Sequence, residues 1–584
     1  MVAGDWRATC AFAGRSNKRA MVAMTRSRMS ARNAGMLLQL ALVLLALAAC
    51  GGGGGGTVSM PSYTLGGTVA GLSGPGLVLA NGSATLVVPA NAAKFSFPIS
   101  LQTGASYAVT IRTQPAGQTC TITNAAGAIA TSNVNNIAIA CPSPWVWIGG
   151  PNSPDGAAVY GTRGVTAPGN LPGARSEGVT WTDAAGNFWL FGGIGSAPEA
   201  YFNDLWQYST VTGQWTWVGG ADIPNALGVY GTQGVAAPGN MPGARAGAVS
   251  WTDATGTFWL FGGTGFDSAE FNDLWKYSPS TGLWTWVSGS NTSGAVGVYG
   301  TRGVAAAANV PPARDDATSW IDASGDLWLF GGNGTPASNE SPLLTKFQDL
   351  WEYSPASGMW TWVSGPMDVS DGLGLYGTRG AAAPSNLPGA RSGGAGWADA
   401  SGSLWLFGGK AAYTPELEFY SDLWTFDPHT GLWTWMGGPN VPDDITGQYG
   451  TEGTAAAANT PPSRSDAEVV IDQAGKVWLF GGNGVNPGLG ELDLGPGQFN
   501  DLWRFDPATG EWTWMSGSMG TDGAATYGTQ GVAAPGNVPG ARAAAFLWIN
   551  SDGNLFLFGG AGPFPGAGEL EWNDVWKFAG ADFP

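Results

Sequence analysis

The sequence predicts an all-β fold, a six-bladed β-propeller preceded by a small β-sandwich. Three observations predict it. A block of roughly 70–80 residues recurs six times after residue 144, each block contains four short strand-like runs, and glycine-rich turn signals separate the runs. Four strands per repeat is typical of a propeller blade rather than of a solenoid turn.

The repeats share five features at nearly fixed spacing. Tyr-Gly-Thr begins at Tyr160, Tyr230, Tyr299, Tyr376, Tyr449 and Tyr527. An arginine follows each tyrosine, at Arg175, Arg245, Arg314, Arg391, Arg464 and Arg542. A Gly-Gly pair then begins at Gly192, Gly262, Gly331, Gly408, Gly481 and Gly559, and Asp-Leu-Trp or Asp-Val-Trp at Asp204, Asp273, Asp349, Asp422, Asp501 and Asp574. Trp-x-Trp follows in the first five repeats, at Trp215, Trp284, Trp360, Trp433 and Trp512.

Ring closure is also predicted by the spacing. The sixth repeat ends after Asp-Val-Trp without its Trp-x-Trp strand, and a matching Trp-Val-Trp stands at residues 145–147, before the first repeat. We therefore expect strand 145–149 to complete the last blade of a domain that covers residues 144–584. Closure of this kind removes an exposed sheet edge.

The apolar run, the Gly-Gly pair, the later aromatic residue and the later tryptophan resemble the kelch repeat. The resemblance covers the six repeats and implies a kelch-type propeller, similar to the central domain of galactose oxidase. That enzyme's family would imply copper held by two histidines and two tyrosines, one of them cross-linked to cysteine. Residues 145–584 contain no cysteine and only one histidine, His429, so copper-radical oxidase chemistry is excluded.

Residues 60–143 predict a separate β-sandwich of short alternating strands joined by Asn-Gly and Gly-Ala turns. The stretch looks like the small immunoglobulin-like modules of bacterial surface lipoproteins. Cys120 and Cys141 lie within it, and in an exported protein we expect them to form a disulfide. Two unpaired buried thiols are the alternative.

The N-terminus is typical of a secretory signal. Residues 36–49 are almost entirely apolar, too few to span a bilayer, and Arg26, Arg28 and Arg32 precede them. The run ends in Leu-Ala-Ala-Cys, which resembles the lipobox of bacterial lipoproteins. The resemblance implies a signal peptide at 1–49, lipidation of Cys50 and a glycine-rich tether at 50–59. Gly51, in place of aspartate, favours the outer membrane of the bacterial cell envelope, with a periplasmic or surface-exposed orientation left open.

Charge and composition exclude several function classes. The formal net charge is −18 and the pI about 4.4, so we expect no nucleic-acid partner. Four cysteines and one histidine leave little for zinc, haem or Cys/His nucleophile sites. We expect a monomer, with the lipid bilayer as one partner.

One loop class varies between repeats. The distance from Gly-Gly to Asp-Leu-Trp, which spans the connection between strands two and three, is longest in repeats three and five, over 333–348 and 483–500. The long connection from strand four to the next strand one opens on the same face. Functional residues on rigid scaffolds usually lie on such loops.

Candidate site residues lie near the predicted channel mouth. The repeated arginines, including Arg175, Arg314 and Arg464, could form an anion-binding ring, or each could pair with a carboxylate such as that of Asp-Leu-Trp and stack on a tryptophan. Two residues further on, Glu177, Asp316 and Asp466 alternate with small residues, and Asp315 adds a carboxylate. These acids could bind Ca²⁺ or a cationic group, or could pair with the adjacent arginines. Trp572 lies outside the repeat pattern and could stack on a sugar ring or cover the blade.

The sequence favours a non-catalytic module that binds a protein or a glycan through the variable-loop face. We expect no cofactor apart from the Ca²⁺ considered above. The alternative is an exported glycan-modifying enzyme, of the hydrolase or epimerase type, with acids at the channel mouth. The ligand is not named by any motif.

Overall fold

The computed structural model describes residues 61–70, 72, 76–89, 92–115, 120–141, 145–196, 200–334, 345–367, 372–411, 418–440, 442, 447–485, 496–533, 537–564 and 568–578. The described residues all belong to one compact unit that begins at residue 61. The signal segment, Cys50 and the tether lie outside the described residues. Among the described residues every regular element is a strand, and no helix there is long and apolar enough to cross a membrane.

The N-terminal module contains two four-stranded sheets. The first has the strand order Lys94–Gln102, Ser62–Ala70, Val134–Ala140 and Thr121–Thr123, and the second Ala84–Val88, Leu77–Asn81, Ser106–Thr113 and Ala126–Ala128. Ser62–Ala70 and Val134–Ala140 pair in parallel, whereas all other neighbouring strands of these two sheets pair antiparallel. Leu65, Leu79 and Ile137 are buried in the core with Cys120 and Cys141, which form a disulfide.

Six four-stranded antiparallel sheets follow, named sheets 1 to 6 in the order of the repeats. Sheet 1 is Val179–Thr182, Phe188–Phe191, Leu205–Ser209 and Gln214–Gly219; sheet 2 is Val249–Thr252, Phe258–Phe261, Leu274–Ser278 and Leu283–Ser288; sheet 3 is Thr318–Ile321, Leu327–Phe330, Leu350–Ser354 and Met359–Ser364. Sheet 4 is Ala395–Ala398, Leu404–Phe407, Leu423–Asp427 and Leu432–Gly437; sheet 5 is Glu468–Ile471, Val477–Phe480, Leu502–Asp506 and Glu511–Ser516; sheet 6 is Phe546–Ile549, Leu555–Phe558, Val575–Phe578 and Trp145–Gly149.

Strand Trp145–Gly149 lies beside Val575–Phe578 at the edge of sheet 6, so chain segments from both ends of the repeat region share one sheet. The first strands of neighbouring sheets contact one another in sequence around the set, and the first strand of sheet 6 contacts that of sheet 1. The six sheets therefore surround a common axis, an all-β arrangement that fits a β-propeller.

Aromatic side chains fill the spaces between neighbouring sheets. Trp181 of sheet 1 stacks on Phe258 of sheet 2, with ring centroids 5.1 Å apart and an interplanar angle of 4°. The indole N–H of Trp181 donates to the carbonyl of Trp259 at 3.2 Å. Each cluster of this kind contains buried residues of two neighbouring sheets. Tryptophans supply much of this buried surface, which accounts for their number in the chain.

Short strands extend the connections between strands two and three of several sheets. They are Ile194–Gly195 with Ala200–Tyr201, Lys410–Ala411 with Glu418–Phe419, and Ala561–Phe564 with Gly568–Glu571. In repeats three and five they form three-stranded sheets, Arg314–Asp315 with Asn333–Gly334 and Thr345–Lys346, and Arg464–Ser465 with Asn483–Val485 and Pro496–Gln498. The two longest loops are thus paired directly to the segment that leads into the first strand of their sheet.

Candidate functional site

A buried ion pair occupies the same place in every repeat. In repeat two, Arg245 Nη1 and Nη2 donate to Oδ1 and Oδ2 of Asp273 at 2.6 and 2.8 Å, and neither side chain is more than 1% exposed. The equivalent pairs are Arg175–Asp204, Arg314–Asp349, Arg391–Asp422, Arg464–Asp501 and Arg542–Asp574. Each arginine is therefore used within its own repeat, and the anion-binding ring considered from the sequence does not form.

Two further donors reach the same aspartate. Tyr230 Oη and Trp275 Nε1 each donate to Oδ2 of Asp273 at 2.7 Å. Burial, and then proximity to that carboxylate, raise the pKa of Tyr230 well above its usual range. The tyrosine of Tyr-Gly-Thr, the arginine and the tryptophan of Asp-Leu-Trp thus recur because one buried carboxylate accepts hydrogen bonds from all three.

An aromatic ring covers the guanidinium in each repeat, and it lies two residues before the aspartate. Phe202 lies over Arg175 with its centroid 4.2 Å from Cζ, and Trp572 occupies the same place over Arg542 at 5.6 Å. Trp572 is only 7% exposed. It therefore covers the blade, and its interpretation as an exposed sugar-stacking residue is wrong. The prediction that each arginine stacks on a tryptophan is wrong for the other five repeats, where the ring over the guanidinium belongs to phenylalanine or tyrosine.

A closed ring of six backbone hydrogen bonds surrounds the axis, two residues beyond the arginines. Each N–H donates to the carbonyl of the equivalent residue in the preceding sheet, at 2.7–3.1 Å. The members are Glu177, Gly247, Asp316, Gly393, Asp466 and Ala544, with the N–H of Glu177 closing the ring onto the carbonyl of Ala544. All six amides are used in the ring, so the chemistry of this mouth depends on the side chains alone.

The acids alternate with small residues for a steric reason. Every ring member has a positive φ, between 47° and 63°. The carboxylate of Asp466 lies over Gly393, where a Cβ would collide with Oδ1, and Asp316 Oδ1 would lie 2.7 Å from a Cβ added to Gly247. An acid at one position therefore requires a glycine at the preceding one in these two places.

The ring acids are not paired with the adjacent arginines, contrary to the simpler of the two expectations. Asp316 Oδ2 accepts from Asn333 Nδ2 at 3.3 Å, and Asp466 Oδ2 accepts from Asn483 Nδ2 at 3.2 Å. Both asparagines come from the three-stranded loop sheets of repeats three and five. The long loops thus hold the two aspartates in place, an arrangement that the sequence comparison of repeats did not reveal.

Lys346 also belongs to this part of the mouth. Its Nζ donates to Asn333 Oδ1 at 2.5 Å and to Ser392 Oγ at 2.7 Å. Burial lowers the pKa of the Lys346 ammonium, whereas Asp316 opposes that shift. Lys346 therefore places a cation on the repeat-three side of the mouth, and Lys410 lies near enough for its charge to act on Lys346.

A cavity of about 210 Å³ lies along the axis below the ring and is lined by the ring residues and the first strands. Glu468 faces it from sheet 5, at a position where the other sheets carry Val179, Val249, Thr318, Ala395 and Phe546. That break in symmetry could have identified Glu468 from the sequence. It is the one acidic residue among these six aligned positions.

Burial and mutual repulsion raise the pKa values of the mouth carboxyls. Burial, then Asp466 and Asp315, raises the pKa of Glu177 to about 8. Burial and then Asp466 raise the pKa of Glu468 to about 8, and burial raises that of Asp315 to about 6. The pKa of Asp316 is well above its usual range for the same reasons. Near neutral pH, Glu177 and Glu468 therefore retain a proton that an ordinary glutamate would lose.

The acids do not converge on a metal site. Over the described ranges, no group of three or more Asp, Glu, His or Cys side chains is placed to hold a metal ion. The residues considered for Ca²⁺, Glu177, Asp316 and Asp466, lie on alternate sheets around the ring. The expectation of Ca²⁺ at these three residues is therefore not met by their geometry.

No protein-family model and no curated protein matches the chain. Among solved structures, the chain is similar to the one described as "Structure of YjhT", with 16% sequence identity and a TM-score of 0.41 over 72% of this chain and 96% of that chain. The propeller-like arrangement is established here by this chain's own strand pairing and by the contacts between its sheets.

Proposed function

We propose that this chain is a six-bladed kelch-type propeller, preceded by an immunoglobulin-like module, that serves as a non-catalytic binding domain of a lipid-anchored bacterial envelope protein. Its ligand is a protein or a glycan, bound on the face that carries the connections between strands two and three and between strands four and one. One observation carries the proposal: the half-buried ring acids have no arginine partner among the described residues and face an open cavity.

The positions at which the six repeats differ support the assignment of the binding face. The repeated tyrosine, arginine, aspartate and tryptophan are used in packing and buried pairing, as in repeat two. The repeats differ in their loops and in the side chains of the ring. Binding energy on a symmetric scaffold comes from groups that break the symmetry, since a ligand without sixfold symmetry contacts unlike side chains.

A loop exchange tests the binding face. Residues 333–348 and 483–500 are replaced by the short connection of repeat two, residues 264–272, and the full-length chain is screened on a glycan array and by pull-down. We expect captured ligands to be lost in the exchange variant while the unfolding midpoint stays near that of wild type. Undiminished capture would overturn the assignment of the face.

Envelope anchoring is tested at Cys50. We expect metabolic labelling with an alkyne-bearing fatty acid to modify the wild-type chain and not Cys50→Ser. Gel filtration of the delipidated chain tests the proposed monomer. Labelling of Cys50→Ser at the wild-type level would contradict the lipidation.

A glycan-modifying enzyme is the second candidate, favoured by one observation. Glu177 and Asp466 both line the axial cavity, and burial together with Asp466 raises the pKa of Glu177 to about 8, so that one carboxyl there keeps a proton near neutral pH, as a general acid requires. Turnover of a glycan substrate that is abolished in Glu177→Gln, with binding retained, would support catalysis. Binding without turnover supports the non-catalytic function.

A further inference from the structure

A second cavity, of about 90 Å³, lies between sheets 4 and 5. Its walls are apolar and mostly aromatic, formed by Trp405, Phe407, Leu423, Met436, Phe505 and Trp512. Arg379 and Thr460, from the connections that lead into sheets 4 and 5, also line it. No described residue lines both this cavity and the axial one. The cavity is therefore a separate feature of the propeller-like domain.

The cavity is explained by two short residues at one boundary between sheets. At the boundary of sheets 1 and 2, Met241 Cε lies 3.7 Å from a Cβ built on Gly219, so a long side chain fills the space beside a glycine. At the boundary of sheets 4 and 5, the aligned residues are Gly437 and Thr460, and both line the cavity. The aligned pairs at the other four boundaries are Gly149 with Leu171, Ser288 with Val310, Ser364 with Leu387, and Ser516 with Val538. Among the six boundaries, only this one combines a glycine with a short polar residue.

The packing around the cavity is incomplete. Leu423 is 8% exposed, whereas the leucines at the aligned positions of sheets 1, 2, 3 and 5 are at most 1% exposed. The residues aligned with Thr460 pack against the hydrophobic clusters of their boundaries in four repeats, as Leu171, Met241, Leu387 and Val538. A cavity with apolar walls lacks these contacts, and such cavities accept small apolar molecules.

A positive charge lies at the edge of the cavity. Arg379 Nε donates to the carbonyl of Met436 at 2.8 Å, and Nη2 lies 3.0 Å from a Cβ built on Gly437. The guanidinium is thus fixed beside the cavity wall. No ion pair of Arg379 occurs within the described part of the chain. An arginine at the edge of an apolar space suits a ligand with a hydrocarbon part and a carboxylate.

The size of the cavity limits the hydrocarbon part. An apolar cavity of about 150 Å³ binds benzene, so a cavity of about 90 Å³ fits a group smaller than a benzene ring. We propose that this cavity binds a short aliphatic carboxylate, with its hydrocarbon part against Trp405, Leu423 and Trp512 and its carboxylate paired with Arg379. The site uses neither the ring acids nor the two long loops, so it adds a ligand to the proposed function and does not depend on it.

Three small molecules test the two parts of this ligand. The full-length chain is titrated by calorimetry at low ionic strength with 3-methylbutanoate, with the uncharged 3-methylbutanamide and with acetate, which lacks the branched hydrocarbon. We expect acetate to bind at least tenfold more weakly than 3-methylbutanoate, because it buries less apolar surface. The amide should bind about threefold more weakly, since an ion pair to an exposed arginine contributes little.

Residues taken from the other repeats serve as variants. Thr460→Leu, the residue type of repeats one and four, fills the cavity and should weaken 3-methylbutanoate binding at least tenfold while raising the unfolding midpoint. Gly437→Ser, the residue type of repeats two, three and five, narrows the cavity from the opposite wall and should weaken binding at least threefold. Thr460→Val keeps the side-chain shape and should bind within twofold of wild type. Arg379→Gln should weaken binding of the carboxylate about threefold and leave that of the amide unchanged.

Several results would overturn the carboxylate site. These are no binding of 3-methylbutanoate, binding within twofold of wild type in both Thr460→Leu and Gly437→Ser, or equal weakening in Thr460→Val and Thr460→Leu, which would indicate a hydroxyl contact in place of an apolar cavity. The loop exchange at 333–348 and 483–500 should leave 3-methylbutanoate binding unchanged. Loss of carboxylate binding in that exchange would also count against the site, whereas capture that proves independent of the loops would overturn the proposed face alone.

Discussion

Replacing Asp273 by asparagine removes the negative charge from a carboxylate that accepts four hydrogen bonds. Arg245 donates two of them at 2.6 and 2.8 Å, and Tyr230 and Trp275 donate the others at 2.7 Å. Asparagine retains one acceptor oxygen and places an NH₂ group against donors. The guanidinium is then left uncompensated at a site where it is 1% exposed.

The expected loss of unfolding free energy is about 3–5 kcal/mol, the usual cost of removing one partner from a buried ion pair. The double variant Arg245→Met, Asp273→Leu should lose less than the sum of the two single variants, because it leaves no buried charge. Denaturant unfolding followed by tryptophan fluorescence measures both, with exposed Asp552→Asn as a control expected within about 0.5 kcal/mol of wild type. A loss below about 1 kcal/mol in Asp273→Asn would refute the reasoning.

Three further outcomes are expected. Because the folded-state pKa of Glu468 is raised from 4.5 to about 8, its contribution to stability is present below pH 4.5 and lost as the pH rises through 8; Glu468→Gln should therefore flatten the fall of the unfolding midpoint between pH 5 and 9, and an unchanged pH profile would contradict this. Gly393→Ala places a Cβ against Asp466 at a φ of 61° and should lower the unfolding free energy by about 1–2 kcal/mol in denaturant unfolding. Part of this loss should be recovered in the double variant with Asp466→Ala, whereas full additivity of the two changes would argue against the contact. Cys120→Ser should lower the unfolding free energy of the N-terminal module by about 2–4 kcal/mol and abolish the mass difference between reduced and oxidised chains after thiol alkylation, whereas an unchanged alkylation pattern would show that Cys141 was never paired with it.

Much of the strand order could be predicted because hydrogen bonds fix the spacings between the repeated motifs. Arg175 Nη1 donates to the carbonyl of Gly192, seventeen residues later, and the same separation recurs in every repeat. A bond between residues at fixed separation permits no insertion between them. The connection between strands two and three lies outside this separation, and its length varies most between the repeats.

The site was harder to predict because its partners come from different repeats. The sequence identified Glu177, Asp316 and Asp466 as a symmetry break, but a carboxylate and an arginine two residues apart suggest a pair that does not form. The arginine is already bonded to an aspartate some thirty residues away, as Arg245 is to Asp273 at a separation of 28.

The strand Trp145–Gly149 has a mechanical consequence. It pairs with Val575–Phe578 in sheet 6, yet the chain that follows it leads directly into sheet 1. Tension applied through the residues before Trp145 is therefore divided between the hydrogen bonds of sheet 6 and the covalent path into sheet 1. Tension at this end therefore acts on both sheet 6 and sheet 1. The strand pairing that closes the ring of sheets is thus also the part of the ring that resists the applied force.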